Sequence, residues 1–225
     1  MSRIPASPDG RQRVVIEHVT PQVDGGRFPV KAIVGDVIEV QADVFGDGHD
    51  VVCCRVLYRG PRDKQWREVE MVDLTNDRWS ARIEMLEVGD TRFVIEGWVD
   101  HLATWRKDMK KRIAAVEADE GSESTETPQQ LADIRVALLV GADLIDAAAK
   151  RALVARGIGR IDFRRLEKWA SGLRNQPAIR AAAQLALNQE LYAVAEKYPG
   201  MLFAVRVSPA SLREETGAKC TPLSK

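Results

Sequence analysis

Cysteine is nearly missing from this sequence: Cys53, Cys54 and Cys220 are the three present in 225 residues. Two are adjacent, and consecutive side chains on a strand point to opposite faces, so a bridge between them would be strained. An odd, low count excludes a disulfide framework and points to a reducing compartment, so the expected location is the cytoplasm. A surplus of one charge sign is also missing. Lys plus Arg is 33, Asp plus Glu is 33, and the formal net charge is +0. That excludes a nucleic-acid binder whose affinity rests on bulk phosphate attraction, so no nucleic-acid partner is expected. There is no long hydrophobic run. The longest uncharged apolar stretch, Val136 to Ala142, falls far short of the roughly 20 residues that a bilayer requires, so no membrane partner is expected. The opening MSRIPASPDG lacks an apolar stretch of the signal-peptide kind, and secretion by that route is not expected.

Histidine is scarce as well. His18, His49 and His101 lie far apart and none has a histidine partner four residues on. Cys53-Cys54 is not a C-x-x-C pair, so no metal site is expected. His49 with Asp47 and Asp50 can touch a cation, but a polar turn is the plainer reading of Gly46 to Asp50. The phosphate-binding G-x-x-x-x-G-K-[ST], the dinucleotide G-x-G-x-x-G and the hydrolase G-x-S-x-G are all absent. Gly157-Ile158-Gly159 reads as a turn between helices. The 33 scattered acids single out no acid/base pair. No catalytic residue and no cofactor is assigned.

What is present divides into two compositions. Up to about Trp105 the pattern has period two. Ile38, Val40, Ala42 and Val44 alternate with Glu39, Gln41 and Asp43, as in a strand with one buried face. Arg13 to His18, Val51 to Arg59, Trp66 to Met71 and Thr91 to Val99 are further strand candidates. Trp79, Ala81, Ile83 and Met85 share one face of another. Gly46-Asp47-Gly48, Gly60 to Asp63, Asn76-Asp77 and Gly89-Asp90 mark turns between them. This spacing predicts an antiparallel β-sandwich.

After Trp105 the period becomes helical. Trp105 to Ala118 predicts a helix with a basic face, and 117–130 an acidic mobile loop. Leu131 to Leu139 and Ala142 to Arg156 predict two helices rich in Ala and Leu. Asp162 is the expected N-cap of Phe163 to Leu173. Pro177 opens a long helix expected to reach Lys197, with Ile179, Ala182, Ala183, Ala186, Leu187 and Val194 as its apolar stripe. Met201 to Val207 turns β-like again, so the helices read as an insertion, and Ser208 to Lys225 reads as loose. The predicted fold class is α+β: an antiparallel sandwich over 1–105, an inserted antiparallel helical bundle over 106–198, and a return strand with a loose tail over 199–225.

The tryptophans are the most informative side chains. Trp66, Trp79, Trp98 and Trp105 all lie in or beside the β-rich part. Trp79 is in phase with Ala81 and Ile83 and is expected in the core. Trp98 is in phase with Val94 and Glu96, opposite Phe93 and Ile95, and is expected to face outward. Core packing or a subunit interface is the favoured role for such rings. An exposed ring on a sheet can instead stack on a sugar. Trp98, Trp105 and Trp66 are therefore the candidate interface or glucan contacts.

Three stretches carry a resemblance: Arg13 to Asp50, Asn76 to Ile113, and the helical part that follows. Their most specific pieces are Asp24-Gly25-Gly26-Arg27-Phe28-Pro29-Val30-Lys31, Asp43 to Asp50, and Trp98-Val99-Asp100 through Thr104-Trp105-Arg106. Roughly residues 13 to 200 resemble the N-terminal region of the bacterial α-1,4-glucan:maltose-1-phosphate maltosyltransferases, a glycoside hydrolase family 13 group of the α-amylase superfamily. The resemblance implies an immunoglobulin-like sandwich with an inserted helical bundle, together building much of a homodimer interface. It implies catalysis in a following (β/α)₈ barrel that moves maltosyl units from maltose 1-phosphate to an α-glucan with retention, using an Asp nucleophile and a Glu acid/base.

A barrel takes about 200 to 250 residues of its own. The sandwich and bundle already use most of this chain, and SPASLREETGAKCTPLSK no longer follows the family pattern. No barrel residue can be carried over. The chain is expected to be a fragment or truncated product: a non-catalytic accessory and dimerisation region, inactive alone. The alternative is an α-glucan-binding module. A homodimer is expected, while α-glucan and maltose 1-phosphate are partners of the full-length family.

Overall fold

Alternation along the chain generates the strands of the first of two compact units, residues 1–99 with 202–225 and residues 100–201. The computed structural model describes residues 13–119, 128–155, 158–201, 204–207 and 211–214. In the first unit the strands are β1 (Val14–Thr20), β2 (Val30–Ala32), β3 (Val37–Gly46), β4 (Val52–Arg59), β5 (Arg67–Glu70), β6 (Val72–Asp73), β7 (Arg78–Glu84), β8 (Asp90–Val99), β9 (Val205–Val207) and β10 (Ser211–Glu214). They form two sheets, ordered β1-β3-β7-β6 and β2-β10-β8-β4-β5, with β9 also on β8. Every pairing is antiparallel except β10 with β2.

The predicted faces hold. Val40, Ala42 and Val44 of β3 and Ala81, Ile83 and Met85 point into one apolar cluster with Cys54, Val56, Phe93, Ile95 and Val205 of the second sheet. Ile38 and Trp79 pack against its margin. Trp79 also donates its indole N–H to the Val44 carbonyl at 3.0 Å.

Three boundaries differ from expectation. β1 runs on to Thr20, because a bulge with His18 at φ 47° shifts its register on β3. Trp66 to Met71 is not one strand. The chain changes sheets at Met71, which is buried and donates its N–H to the Cys54 carbonyl, so β5 belongs to one sheet and β6 to the other. Part of the tail expected to be loose is also ordered: β10 lies between β2 and β8.

The second unit holds α1 (His101–Asp119), α2 (Pro128–Val154), α3 (Gly159–Asn175), α4 (Ile179–Ala186) and α5 (Gln189–Glu196). Its separate core gathers Trp105, Met109, Ile134, Leu138, Ala142, Ile145, Leu166, Trp169 and Leu173, with small Ala side chains letting helices approach closely. α1 starts four residues before Trp105 because Asp100 accepts the Ala103 N–H at 2.9 Å, an N-cap bond. Trp105 is thus a helix residue of this unit.

The two helices predicted across 131–156 are one. Gly141 does not break α2; it makes room for the Trp105 ring, which a Cβ there would overlap. Asp162 is not a cap. It sits inside α3, buried, and accepts the Tyr198 hydroxyl at 2.8 Å. The predicted long helix after Pro177 is two, because Asn188 caps α5 by accepting the Leu191 N–H at 2.9 Å. Of the predicted acidic loop, 120–127 lies outside the described residues, as do Gly157 and Cys220.

Candidate functional site

The outer face of the second sheet carries the most organised polar cluster. Alternation turns Phe93 and Ile95 into the core, and so turns Val94, Glu96 and Trp98 outward. Glu96 is nevertheless only 1% exposed. Arg55, its register partner on β4, donates from Nε to Glu96 Oε2 at 2.9 Å, and its Nη2 lies 2.8 Å from the same oxygen. Arg206 of β9 donates to Glu96 Oε1 at 2.6 Å. Arg55 also donates to Glu68 of β5 at 2.5 Å. The outer face therefore bears a cross-strand line of alternating charge, Glu68, Arg55, Glu96, Arg206. A carboxylate this buried is tolerated because both oxygens accept from guanidinium groups.

Trp98 stands one step further along β8, and the structure corrects its expected exposure. It occupies the outer face, as its phase predicts, yet it is only 7% exposed. The Arg55 guanidinium lies 5.7 Å from its ring centroid. Its indole nitrogen is buried and finds no acceptor among the described residues.

The other candidate tryptophans separate. Trp105 is 7% exposed and donates its indole N–H to the Ala137 carbonyl at 2.7 Å, which makes it a core residue of the helical unit. Trp66 is 43% exposed, with the Arg59 guanidinium 5.1 Å from its ring centroid. Of the three, Trp66 alone presents an open ring. Trp66 and Trp98 belong to the β unit and Trp105 to the helical unit.

Between α1 and α2 runs an open groove of about 680 Å³. Met109, Ala137 and Leu144 line its apolar part, with His101, Arg112 and Asp133 at its polar margin. Val136 and Val140 flank it at 61% and 50% exposure, beside exposed Leu139. The inner face of α2 is fully core, through Ile134, Leu138, Ala142, Ile145 and Ala149. A helix apolar on both faces is expected to be covered on both. Sequence reasoning missed this because it divided α2 in two.

The remaining polar clusters are built for structure. Asp43 accepts from Arg78 at 2.9 Å and pairs with His18 at 2.7 Å; the Arg78 hydrogen bond holds its carboxyl below the ordinary carboxylate value. Arg106 is buried, with its guanidinium 4.1 Å from the Tyr192 ring centroid, and donates to Gln189 at 2.5 Å. Burial pushes the Tyr192 hydroxyl and the Cys54 thiol upward. Among the described residues no three His, Cys, Asp or Glu side chains group as a metal site.

Comparison with known proteins places this architecture. Residues 12–215 match the family model described as Alpha-1,4-glucan:maltose-1-phosphate maltosyltransferase, domain N/S. The chain belongs to this family. A relative from Chlorobaculum tepidum, an Alpha-1,4-glucan:maltose-1-phosphate maltosyltransferase, is 40% identical over 144 residues, which cover 64% of this chain and 19% of the relative. Relatives of the same description from Myxococcus xanthus and Rhodospirillum rubrum are 36% and 30% identical over 197 and 207 residues. Those matches cover 86% and 87% of this chain but 27% and 28% of the relatives. The matches therefore span between about a fifth and under a third of the length of these three curated relatives. No helix among the described residues is long and apolar enough to cross a membrane.

Proposed function

We propose that this chain is a non-catalytic accessory and dimerisation region serving the elongation of α-1,4-glucan from maltose 1-phosphate. In this reading the β unit is an immunoglobulin-like sandwich and the helical unit an inserted antiparallel bundle. The reaction belongs to a glycoside hydrolase family 13 barrel, and the protein works in the cytoplasm as a homodimer. The observation that carries the proposal is the match to the domain N/S family model over 12–215. The apolar outer face of α2, with Val136, Leu139 and Val140 exposed, supports an interface on the helical unit.

The purified chain is expected to release no phosphate from maltose 1-phosphate in the presence of α-glucan. Measurable turnover would end the accessory reading. Sedimentation as a dimer is expected at tens of micromolar, with Val136→Asp shifting the boundary to the monomer. A strict monomer at that concentration counts against dimerisation alone.

A second reading, an α-glucan-binding module, rests on the open Trp66 ring. It expects retarded migration in gels containing glycogen, lost in Trp66→Ala. Unretarded migration removes it.

A further inference from the structure

The passage from α2 to α3 carries an arrangement that the accessory role leaves unused. α2 ends at Val154 and α3 begins at Gly159. Gly159 lies so close to the Ala152 carbonyl that a Cβ there would overlap it, so the start of α3 is packed on the end of α2. Four aliphatic side chains stand out at this end: Leu153, Val154, Ile158 and Ile161 are between 51% and 86% exposed. Single exposed aliphatics call for no explanation, but four gathered at one end of a helix pair form a patch.

The charge around them is of one sign. From position 150 to 165 the cations are Lys150, Arg151, Arg156, Arg160, Arg164 and Arg165, and the one acid is Asp162. Asp162 is buried and accepts the Tyr198 hydroxyl at 2.8 Å. The chain as a whole has a formal net charge of +0. Two of the arginines are tied within the helical unit: Arg151 donates from Nε to the Tyr198 carbonyl at 2.9 Å, and Arg165 pairs with Glu190 at 2.6 Å. Lys150, Arg160 and Arg164 are exposed. Asp146, a further turn back on α2, pairs with Arg174 at 2.6 Å.

Helical spacing arranges the patch in layers. Residues three and four apart share a face. Lys150 therefore lies one turn behind Leu153 and Val154 on α2, and Arg164 one turn behind Ile161 on α3. One turn is about 5.4 Å along the axis. A protein interface sets its polar rim around an apolar centre. Here the apolar residues lead and these cations follow along the helix axes, which is the order of acyl chains and lipid phosphates in a bilayer surface.

We propose that this end of α2 and α3 docks on an anionic phospholipid surface. Leu153, Val154, Ile158 and Ile161 enter the headgroup layer, and Lys150, Arg160 and Arg164 meet the phosphates. A surface contact of this kind buries its apolar residues about 5–10 Å into the boundary between headgroups and acyl chains. That depth matches the single turn between the aliphatics and the cations. Each cation held near an anionic surface strengthens attachment by about fivefold. The long stems of Lys and Arg lie along apolar surroundings while their charged ends stay at the phosphates. No helix among the described residues is long and apolar enough to cross a membrane, and this contact requires no crossing. It also requires neither a dimer nor a reaction, so it stands or falls apart from the accessory reading.

The test is co-sedimentation of the full chain with vesicles of phosphatidylglycerol and phosphatidylcholine in equal parts, against vesicles of phosphatidylcholine alone. The chain is expected to pellet with the anionic vesicles and stay in solution with the neutral ones. Binding should fall by about tenfold or more as salt rises from about 0.05 to 0.5 M, because the exposed cations are screened. Val154→Asp with Ile161→Asp should weaken binding by about tenfold or more, as should Lys150→Glu with Arg160→Glu. All four positions are exposed, so the Tm is expected to hold in both variants. Lys111→Glu, on the basic face of α1, is expected to bind like the wild type. Failure to pellet with the anionic vesicles at millimolar lipid overturns the proposal. So does equal loss in Lys111→Glu and Lys150→Glu, which would mean general attraction without a site, and so does unchanged binding in Val154→Asp with Ile161→Asp. A dimer seen without lipid and removed by Val154→Asp, with vesicles unbound, would assign this end to a second copy. Retention on polyglutamate, with vesicles unbound, would assign it to an acidic protein. Either result overturns the membrane contact.

Discussion

Gly141 of α2 lies directly under the ring of Trp105 of α1, so closely that a Cβ at 141 would overlap the indole. Trp105 cannot withdraw freely, because its N–H is held by the Ala137 carbonyl one turn earlier on α2 at 2.7 Å. Gly141→Ala therefore sets the usual helix-propensity gain of about 1 kcal/mol against forced displacement of a buried aromatic. The displacement wins. The substitution should destabilise the helical unit by about 1–3 kcal/mol in urea denaturation. Trp105→Phe should recover part of that loss, and a double-mutant cycle would show the coupling.

Glu96 is the second test of packing against chemistry. Its two oxygens satisfy Arg55 and Arg206 while the residue itself is almost wholly buried. Glu96→Gln removes the charge but keeps the volume: one amide oxygen is left to accept from two guanidiniums, and Glu68 remains the charged partner of Arg55. A loss of about 2–4 kcal/mol is expected. Arg206→Ala, at a mostly exposed side chain, should cost under about 1 kcal/mol. Equal losses in the two variants, read from urea midpoints, would contradict this ordering.

How much of this was legible beforehand depends on the range of the interaction. Alternation of Ile38, Val40, Ala42 and Val44 reveals β3 and its buried face, and the same logic places Trp79 and Trp98 on opposite sides of their strands. Phase reports a face and not what covers it, so Trp98 read as open when it is 7% exposed. Two helices were expected, Leu131 to Leu139 and Ala142 to Arg156, and the role of Gly141 between them was out of reach because its partner, Trp105, is 36 positions away in the sequence and on another helix. The Asp100 cap was within reach of local reasoning, since its acceptor bond spans three residues. The Glu96 line was not: its donors lie 41 and 110 residues away, and only strand pairing selects them from 33 arginines and lysines.

Acid should weaken the β unit through Asp43 and Asp63. The Arg78 hydrogen bond lowers the first carboxyl, and the Gly60 backbone N–H, at 3.0 Å and reinforced by Arg67, lowers the second. A carboxyl whose folded pKa is depressed binds its proton more tightly in the unfolded chain. Its contribution is complete above the ordinary value of 3.8 and is lost as the pH falls through the lower folded pKa. The Tm should therefore decline from about pH 4 downward. Asp43→Asn should start lower at neutral pH and fall less steeply over that window. A wild-type slope retained in Asp43→Asn would remove this site from the explanation.

The break between α4 and α5 rests on one side chain. Asn188 accepts the Leu191 N–H at 2.9 Å and has the extended-side ψ of 115° expected of a cap. Tyr192 and Val194, in the short helix that follows, belong to the core of the helical unit. Asn188→Ala should cost about 1 kcal/mol, and Asn188→Asp should be nearly neutral because it preserves the acceptor. The readout that separates capping from general damage is amide hydrogen exchange. Protection should fall most in Gln189–Glu196 and less in α3, which meets the first turn of α5 through the Arg165–Glu190 ion pair at 2.6 Å. A uniform loss of protection across the helical unit would mean that Asn188 supports the whole fold and not the start of α5.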